Sequence, residues 1–267
     1  MDLAGAESSL HRRLELACAA ATTARLPGRF VTAEVNGLRA VMTTAPGLGF
    51  LNSITGLTRS SAEGLLPLLD ELQAEGEPSP CVVTGPMDPD VSRFLTSLGF
   101  VASGVRPVAV SALSTEVLSP TTAGRLTVAE IAGSAGRAIF LNILTAGYSA
   151  SRIVERFVRA EHSVDAVRGF VAWDGETPVG AAAMSSHEDW VVLGGAATLP
   201  KHRGVGIQAE LLRHRLDVAT RAGARFATAT AAVGSPSSRN LARAGFQVAL
   251  RTAWSRDRAS GTGSEGR

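Results

Sequence analysis

Ala196-Ala197-Thr198-Leu199-Pro200-Lys201-His202-Arg203-Gly204-Val205-Gly206-Ile207-Gln208 is the stretch on which the fold turns. Before it, Trp190 to Thr198 is a β-rich run, and after it Ile207, Leu211, Leu212, Leu216 and Ala219 recur at helical spacing to about Ala222. A glycine loop therefore joins a strand to the start of an amphipathic helix. The first turn of a helix leaves backbone N–H groups without partners and carries a positive partial charge. Gly204 and Gly206 keep Cβ atoms away from those amides, and Arg203 adds a cationic fork, so the loop reads as a cradle for an anion such as a diphosphate. No Gly-Lys-Ser/Thr follows and the third glycine of a dinucleotide fingerprint is missing, which disfavours a nucleoside triphosphate or NAD.

A second glycine-punctuated segment follows, Gly234-Ser235-Pro236-Ser237-Ser238-Arg239-Asn240-Leu241-Ala242-Arg243-Ala244-Gly245-Phe246. It reads as a short helix that stops at Gly245, in the position after a helix end where positive φ is needed, and leads into a β-like run from Gln247 to Trp254. Between the two motifs, Arg225 to Ala231 reads as a strand. The first motif resembles the coenzyme A loop of the GCN5-related N-acetyltransferases (GNAT), Arg/Gln-x-x-Gly-x-Gly/Ala, with Gln208 where Gly or Ala is usual. The second is similar to that family's Asn-containing helix followed by Gly-Phe. The likeness runs from Arg125 to Trp254. It implies an α/β fold with a mixed, mostly antiparallel sheet flanked by helices, and acetyl-CoA as co-substrate.

The first half of the chain looks like a worn copy of the second. Ser92-Arg93-Phe94-Leu95-Thr96-Ser97-Leu98-Gly99-Phe100 matches residues 238–246 at five of nine positions with an offset of 146. Leu65-Leu66 precede Leu211-Leu212 by the same interval, while Asp70 and Gly76 precede Asp217 and Gly223 by 147, as a one-residue gap would produce. The corresponding loop, Leu57-Thr58-Arg59-Ser60-Ser61-Ala62, contains no glycine. Pro46 to Leu57 also resembles the N-terminal half of tandem acetyltransferases in which the C-terminal half alone keeps the cofactor site. The expected organisation is thus a degenerate GNAT-like domain at 1–113, a linker at 114–124, a catalytic domain at 125–256 and a disordered Ser/Gly-rich tail at 257–267.

Composition narrows the function classes. The chain has 267 residues, 45% of them hydrophobic, enough for a large core in one or two domains. A net charge of +2 gives no footprint for nucleic acid, and Arg12-Arg13 and Arg213 to Arg215 read as solvated helix faces. No apolar run of about 18 residues suggests a membrane span, and the N-terminus lacks the pattern of a signal peptide, so a cytoplasmic location is the default expectation. Cys18 and Cys81 read as small buried hydrophobes, and the histidines at 11, 162, 187, 202 and 214 form no ligand motif, so no metal is implied. Trp173, Trp190 and Trp254 fall on strands and read as core.

The remaining elements are a strand at Arg125–Ile131, helices at Gly136–Tyr148 and Ser151–Ala160, and a hairpin of Arg168–Trp173 with Pro178–Ser185 around Asp174-Gly175. The resemblance places those helices over the acceptor. It implies direct attack of a small-molecule amine on the acetyl-CoA thioester, in a ternary complex without an acyl-enzyme. It assigns diphosphate binding to Arg203, Gly204, Val205, Gly206, Ile207 and Gln208, polarisation of the carbonyl to a backbone N–H within Ala197, Thr198 and Leu199, and further cofactor contacts to Ser237 and Asn240. An amine with a pKa near ~10 must lose a proton before it attacks. Glu188, beside His187 and Asp189, is at the family's common base location, though a solvated hairpin turn explains it too. Many relatives carry a Tyr four residues before the Gly of Gly-Phe to protonate the sulfur, and this chain has Leu241 there. Its one tyrosine, Tyr148, is the candidate substitute. A non-catalytic acyl-CoA-binding module is the alternative reading, and a monomer or homodimer is expected.

Overall fold

Period-2 apolar runs alternate with helical ones along the whole chain, and in the computed structural model they condense into a single continuous sheet of eleven strands. The structure describes residues 1–74, 81–85, 88–114, 126–148 and 151–256. In order these form α1 (Leu3–Thr23), β1 (Phe30–Val35), β2 (Leu38–Thr43), β3 (Ser53–Thr55), α2 (Leu65–Ala74), β4 (Cys81–Val83), α3 (Pro89–Ser97) and β5 (Val101–Ala112). The second half continues with β6 (Leu126–Glu130), α4 (Gly133–Tyr148), α5 (Arg152–Glu161), β7 (Val167–Asp174), β8 (Thr177–His187), β9 (Trp190–Thr198), α6 (Ile207–Arg221), β10 (Phe226–Ala229), α7 (Pro236–Arg243) and β11 (Gln247–Ser255). Residues 115–124 of the expected linker at 114–124, Arg125 and the tail from 257 lie outside the described residues, as does the side chain of Cys81.

The strand order is β1-β2-β3-β4-β11-β5-β10-β9-β8-β7-β6. β7, β8 and β9 run antiparallel and β10 lies parallel to β9. β1, β2, β3 and β4 repeat the same senses in the same order. The helix endings repeat as well. At the end of α7 the amide of Phe246 donates to the Leu241 carbonyl and that of Gly245 to Ala242, and at the end of α3 Phe100 donates to Leu95 and Gly99 to Thr96. Both are Schellman closures, with Gly245 at φ +85° and Gly99 at φ +79°. The final strands are exchanged: β11 pairs with β4 of the first half, and β5 pairs with β10 of the second. β5 and β11 also pair with each other over most of their length.

Side-chain alternation assigns each face of this sheet. Leu211, Leu212 and Leu216 of α6, with Leu241 and Phe246, bury against Val191, Leu193, Ala227 and Ala229. A fully buried leucine contributes about 2 kcal/mol, so this stripe fixes where α6 begins. On the other face Phe140, Ile143 and Leu144 of α4 pack on Val171, Ala181 and Ala183. α1, which the sequence reading did not place, fills the same face between the halves, with Ala17 and Ala21 against Val41 and Phe157. Trp190 and Trp254 are buried in the core as expected, and Trp173 packs at its edge.

Candidate functional site

The loop after β9 has the backbone its glycines suggest. Gly204 and Gly206 adopt φ +84° and +86°, left-handed values that cost an L-residue about 1 kcal/mol or more. A Cβ on Gly204 would meet nothing within 4 Å. The first bond of α6 is donated by Glu210 to the Gly206 carbonyl, so the amides of Ile207, Gln208 and Ala209 have no intrahelical acceptor. Val205 is exposed and Ile207 is buried under the loop. Arg203 is tied down: Nε donates to the Thr198 carbonyl at 3.3 Å and Nη2 to that of Gly147 at 3.3 Å, near the negative end of α4. Gln208 Nε2 donates to Thr198 Oγ1 at 2.8 Å, which ties the helix start back to the strand.

β9 is open on one edge beyond its middle. β10 pairs with it only from Trp190 to Leu193, leaving Gly194 to Thr198 unpaired on that side. On the other side β8 and β9 slip register between Ala182 and Ala183, so that Gly195 bulges out at φ +57°. The Leu199 amide donates to Val179 across the ladder at 3.0 Å. Antiparallel pairs alternate, so Ala197 faces β8 as Leu199 does, while Ala196 and Thr198 turn their amides to the open edge. Of the stretch Ala197–Leu199, Thr198 therefore presents a free-edge donor.

A cavity of about 690 Å³ adjoins this edge, between α1, α4, α5 and the strands of both halves. Gly194, Gly195, Tyr148 and His162 meet there. His162 follows α5 and is 2% exposed. Its Nδ1 lies 2.9 Å from the Val158 carbonyl and so carries the proton, which leaves Nε2 as an acceptor that is buried with no hydrogen-bond partner. Nε2 packs directly against the bulge: a Cβ on Gly195 would fall 2.0 Å from it. Burial lowers the pKa of His162, with Arg13 acting in the same direction and Glu161 opposing. Tyr148, at the end of α4, accepts a hydrogen bond from the Ala196 backbone. Although 40% of its surface is open, desolvation of the phenol and then Glu161 push it up to about 12.

Behind the bulge lies Arg215, buried without a carboxylate. Its Nη1 donates to Ala183 at 2.8 Å and Nε to Leu211 at 3.1 Å, and desolvation lowers it to about 10, still charged at neutral pH. Arg13, which read as a solvated arginine, is also buried, bonded to Glu161 at 2.9 and 3.2 Å. The stripe Leu10, Arg13, Leu14, Ala17 had marked that position as inward-facing, as Val154, Val158 and His162 mark the end of α5.

Other sequence-based candidates lie elsewhere. Glu188 is exposed at φ +52° in the β8–β9 turn. Six residues, 189–194, lie between it and Gly195, roughly 20 Å of extended chain, and it does not line the cavity, so the hairpin-turn reading describes its place. Ser237 is exposed on α7, and Asn240 accepts from Arg243 at 2.8 Å; neither lines a cavity, whereas their neighbours Ser238 and Leu241 line a second, apolar one of about 330 Å³. Cys18 is buried and its thiol is pushed up to about 12, mainly by desolvation. Among the described residues no cluster of three His, Cys, Asp or Glu could hold a metal ion, and no helix is long and apolar enough to cross a membrane.

The loop, the bulged strand with its open edge and the helix ending in Gly-Phe coincide with a family match, acetyltransferase (GNAT) family, over residues 138–246. Over those residues the chain is similar to the GNAT family. No curated protein matches it in sequence. The fold extends the likeness to almost the whole chain. A GCN5-related N-acetyltransferase from Kribbella flavida superposes with a TM-score of 0.63 at 15% identity, covering 92% of this chain and 96% of that one. Another from Sphaerobacter thermophilus gives 0.58 at 17% identity, with 84% and 82% covered. A tandem GNAT protein from the clavulanic acid biosynthesis pathway gives 0.56 at 15% identity, with 94% and 95% covered. The GNAT fold supports acyl transfer in general. The open edge of β9 runs from Gly194 and Gly195, which line the cavity, to Thr198, which precedes the glycine loop.

Proposed function

We propose that the chain transfers the acetyl group of acetyl-CoA to the amine of a small molecule by direct attack in a ternary complex. The observation that carries this is the continuity from the Arg203–Gln208 loop, along the open edge of β9, to the cavity that holds His162 and Tyr148. The unpartnered amides, the open space at Gly204 and the anchored charge of Arg203 suit a diphosphate. Neutral His162 accepts the proton of the incoming ammonium at Nε2. The edge amide of Thr198 donates to the carbonyl oxygen as it gains negative charge, and it is already fixed by the strand. Tyr148 accepts from Ala196 and keeps its own proton at neutral pH, so its O–H can donate to the sulfur as the C–S bond breaks. His162 takes the base role that the sequence had offered to Glu188.

In this reading 125–256 is the catalytic domain and 1–113 a GNAT-like partner without a cofactor loop, the two acting as a tandem. The first-half loop supports that division. Ser61 Oγ accepts from the Thr58 amide at 2.8 Å and donates to the Gly56 carbonyl at 2.9 Å, so the turn satisfies itself internally. Calorimetry with acetyl-CoA tests the proposal: one site per chain is expected, lost in Gly206→Trp, and binding retained in that variant overturns the loop assignment. One observation favours a second reading, a non-catalytic acyl-CoA-binding module. Leu241, at the position of the family tyrosine, is buried in the core. Binding without thiol release across an amine panel would select it.

A further inference from the structure

Strand alternation gives the first half of the sheet two unlike faces. Leu38, Ala40, Met42 and Ile54 turn to α2 and α3 and form an apolar core. Their alternating neighbours Arg39, Ser53 and Thr55, with Arg106 of β5 and Arg251 of β11, turn to the other face and line the cavity that holds His162. A polar sheet face enclosed between two halves has a cost in desolvation that packing alone does not offset.

The charges there do not balance. Of the carboxylates on the cavity wall, Glu161 is bonded to Arg13 and Glu7 to Arg251 at 3.0 Å. Arg39 lies 3.2 Å from Glu34. Arg106 has no carboxylate partner among the described residues; its Nη1 donates to the Phe50 carbonyl at 3.0 Å. The Nη1 of Arg13 is a further buried donor without a partner. One uncompensated guanidinium matches a monoanion, and its planar fork suits a carboxylate. His162 lines the same cavity and offers an acceptor and no charge. Apolar residues such as Leu10, Leu14 and Phe157 line it as well.

Resting on the transfer reading above, we propose that the acceptor is an amino carboxylate, its amine at His162 and its carboxylate held by Arg106 on the wall supplied by the first half. The anion subsite is a specificity element, separate from the reacting groups, and it explains why a half without a cofactor loop keeps its polar face.

The test compares the proteinogenic L-amino acids, and the ω-amino acids from β-alanine to 6-aminohexanoate, with their primary amides. Two readouts are taken: thiol release at saturating acetyl-CoA, and the rise in Tm on adding each compound alone. At least one acid should exceed its amide by about 10- to 100-fold in kcat/KM, the loss expected when a charge-assisted hydrogen bond is removed. Arg106→Gln should bring that acid down to its amide while leaving the amide within about twofold, and Arg106→Lys should recover part of the preference. Amides equal to acids in both readouts overturn the proposal, as does an Arg106→Gln variant that slows both series equally. Stabilisation that requires the carboxylate and Arg106, with no thiol release from any compound, would keep the subsite and refute the transfer reading instead.

Discussion

Gly195→Ala probes the contact between the bulge and His162. At φ +57° an alanine pays the left-handed conformation, about 1–2 kcal/mol. Its Cβ would sit 2.0 Å from His162 Nε2, 2.8 Å from Cδ2 and 3.0 Å from Cε1, whereas such atoms rest near ~3.5 Å. The ring would have to retreat by about 1.5 Å. It is held by the Val158 carbonyl and packed beside Phe140, with centroids 6.0 Å apart, so overpacking adds about 1–3 kcal/mol. The expected total is about 2–5 kcal/mol, measured by urea denaturation at pH 7.5. In a His162→Ala background only the backbone cost remains, about 1–2 kcal/mol, so a double-mutant cycle should show coupling of about 1–3 kcal/mol. Turnover should fall in both single variants and should not return in the double variant. Coupling below about 0.5 kcal/mol would mean that the ring does not rest on the bulge, and the assignment of His162 would fail with it.

The chain's one tyrosine makes Tyr148 directly readable. Phenolate absorbance should be nearly absent from the folded protein at pH 10, half ionisation there would refute the buried-phenol geometry, and Arg215→Met should delay ionisation further because that cation favours the phenolate. His11 and His162 are both lowered below 6.5, chiefly by desolvation, so the unfolded chain takes up their protons first. Their contribution is complete above pH 6.5 and is lost as pH falls below it, by at most about 1.4 kcal/mol per pH unit for each; His162→Gln should flatten the slope, and a stability that rises on acidification would contradict the sign.

The residues legible in sequence are those whose geometry is set locally. Gly204, Gly206 and Gly245 mark positive φ within a few residues of a periodic stripe, so the β9–α6 junction and the α7 end could be placed to within a residue or two. The bulge at Gly195 was not, because a register slip belongs to two strands and not to one. Burial of charge was also hidden. Arg13 is paired with Glu161, 148 residues away, and Arg215 is bonded to the Ala183 carbonyl, 32 residues away. Both occupy inward positions of helical stripes, and charge alone turned the reading outward. His162 was missed for the same reason, since Glu161, His162 and Ser163 look like a polar helix end until α1 closes over them. Glu188 stood out because acidic residues at a strand start resemble a base. The direction of β9 puts that turn at the end remote from the open edge.

The exchange of terminal strands bears on why a second half is present at all. β5 and β11 cross between the halves, so each half's sheet is completed by the other's last strand. Removing residues 1–113 would expose the edge of β10 and both flanks of β11, along with the apolar face of Ala249, and would take away α1, which covers Trp190. It would also remove Arg13 from Glu161, leaving a carboxylate beside His162, and carry away Arg39, Ser53, Thr55 and Arg106. A single GNAT domain can present an anion loop and an open strand edge by itself. Here the wall opposite that edge, and the partner that neutralises the carboxylate next to the buried imidazole, come from the other half. On the proposed acceptor reading, stability and acceptor recognition place the same demand on residues 1–113.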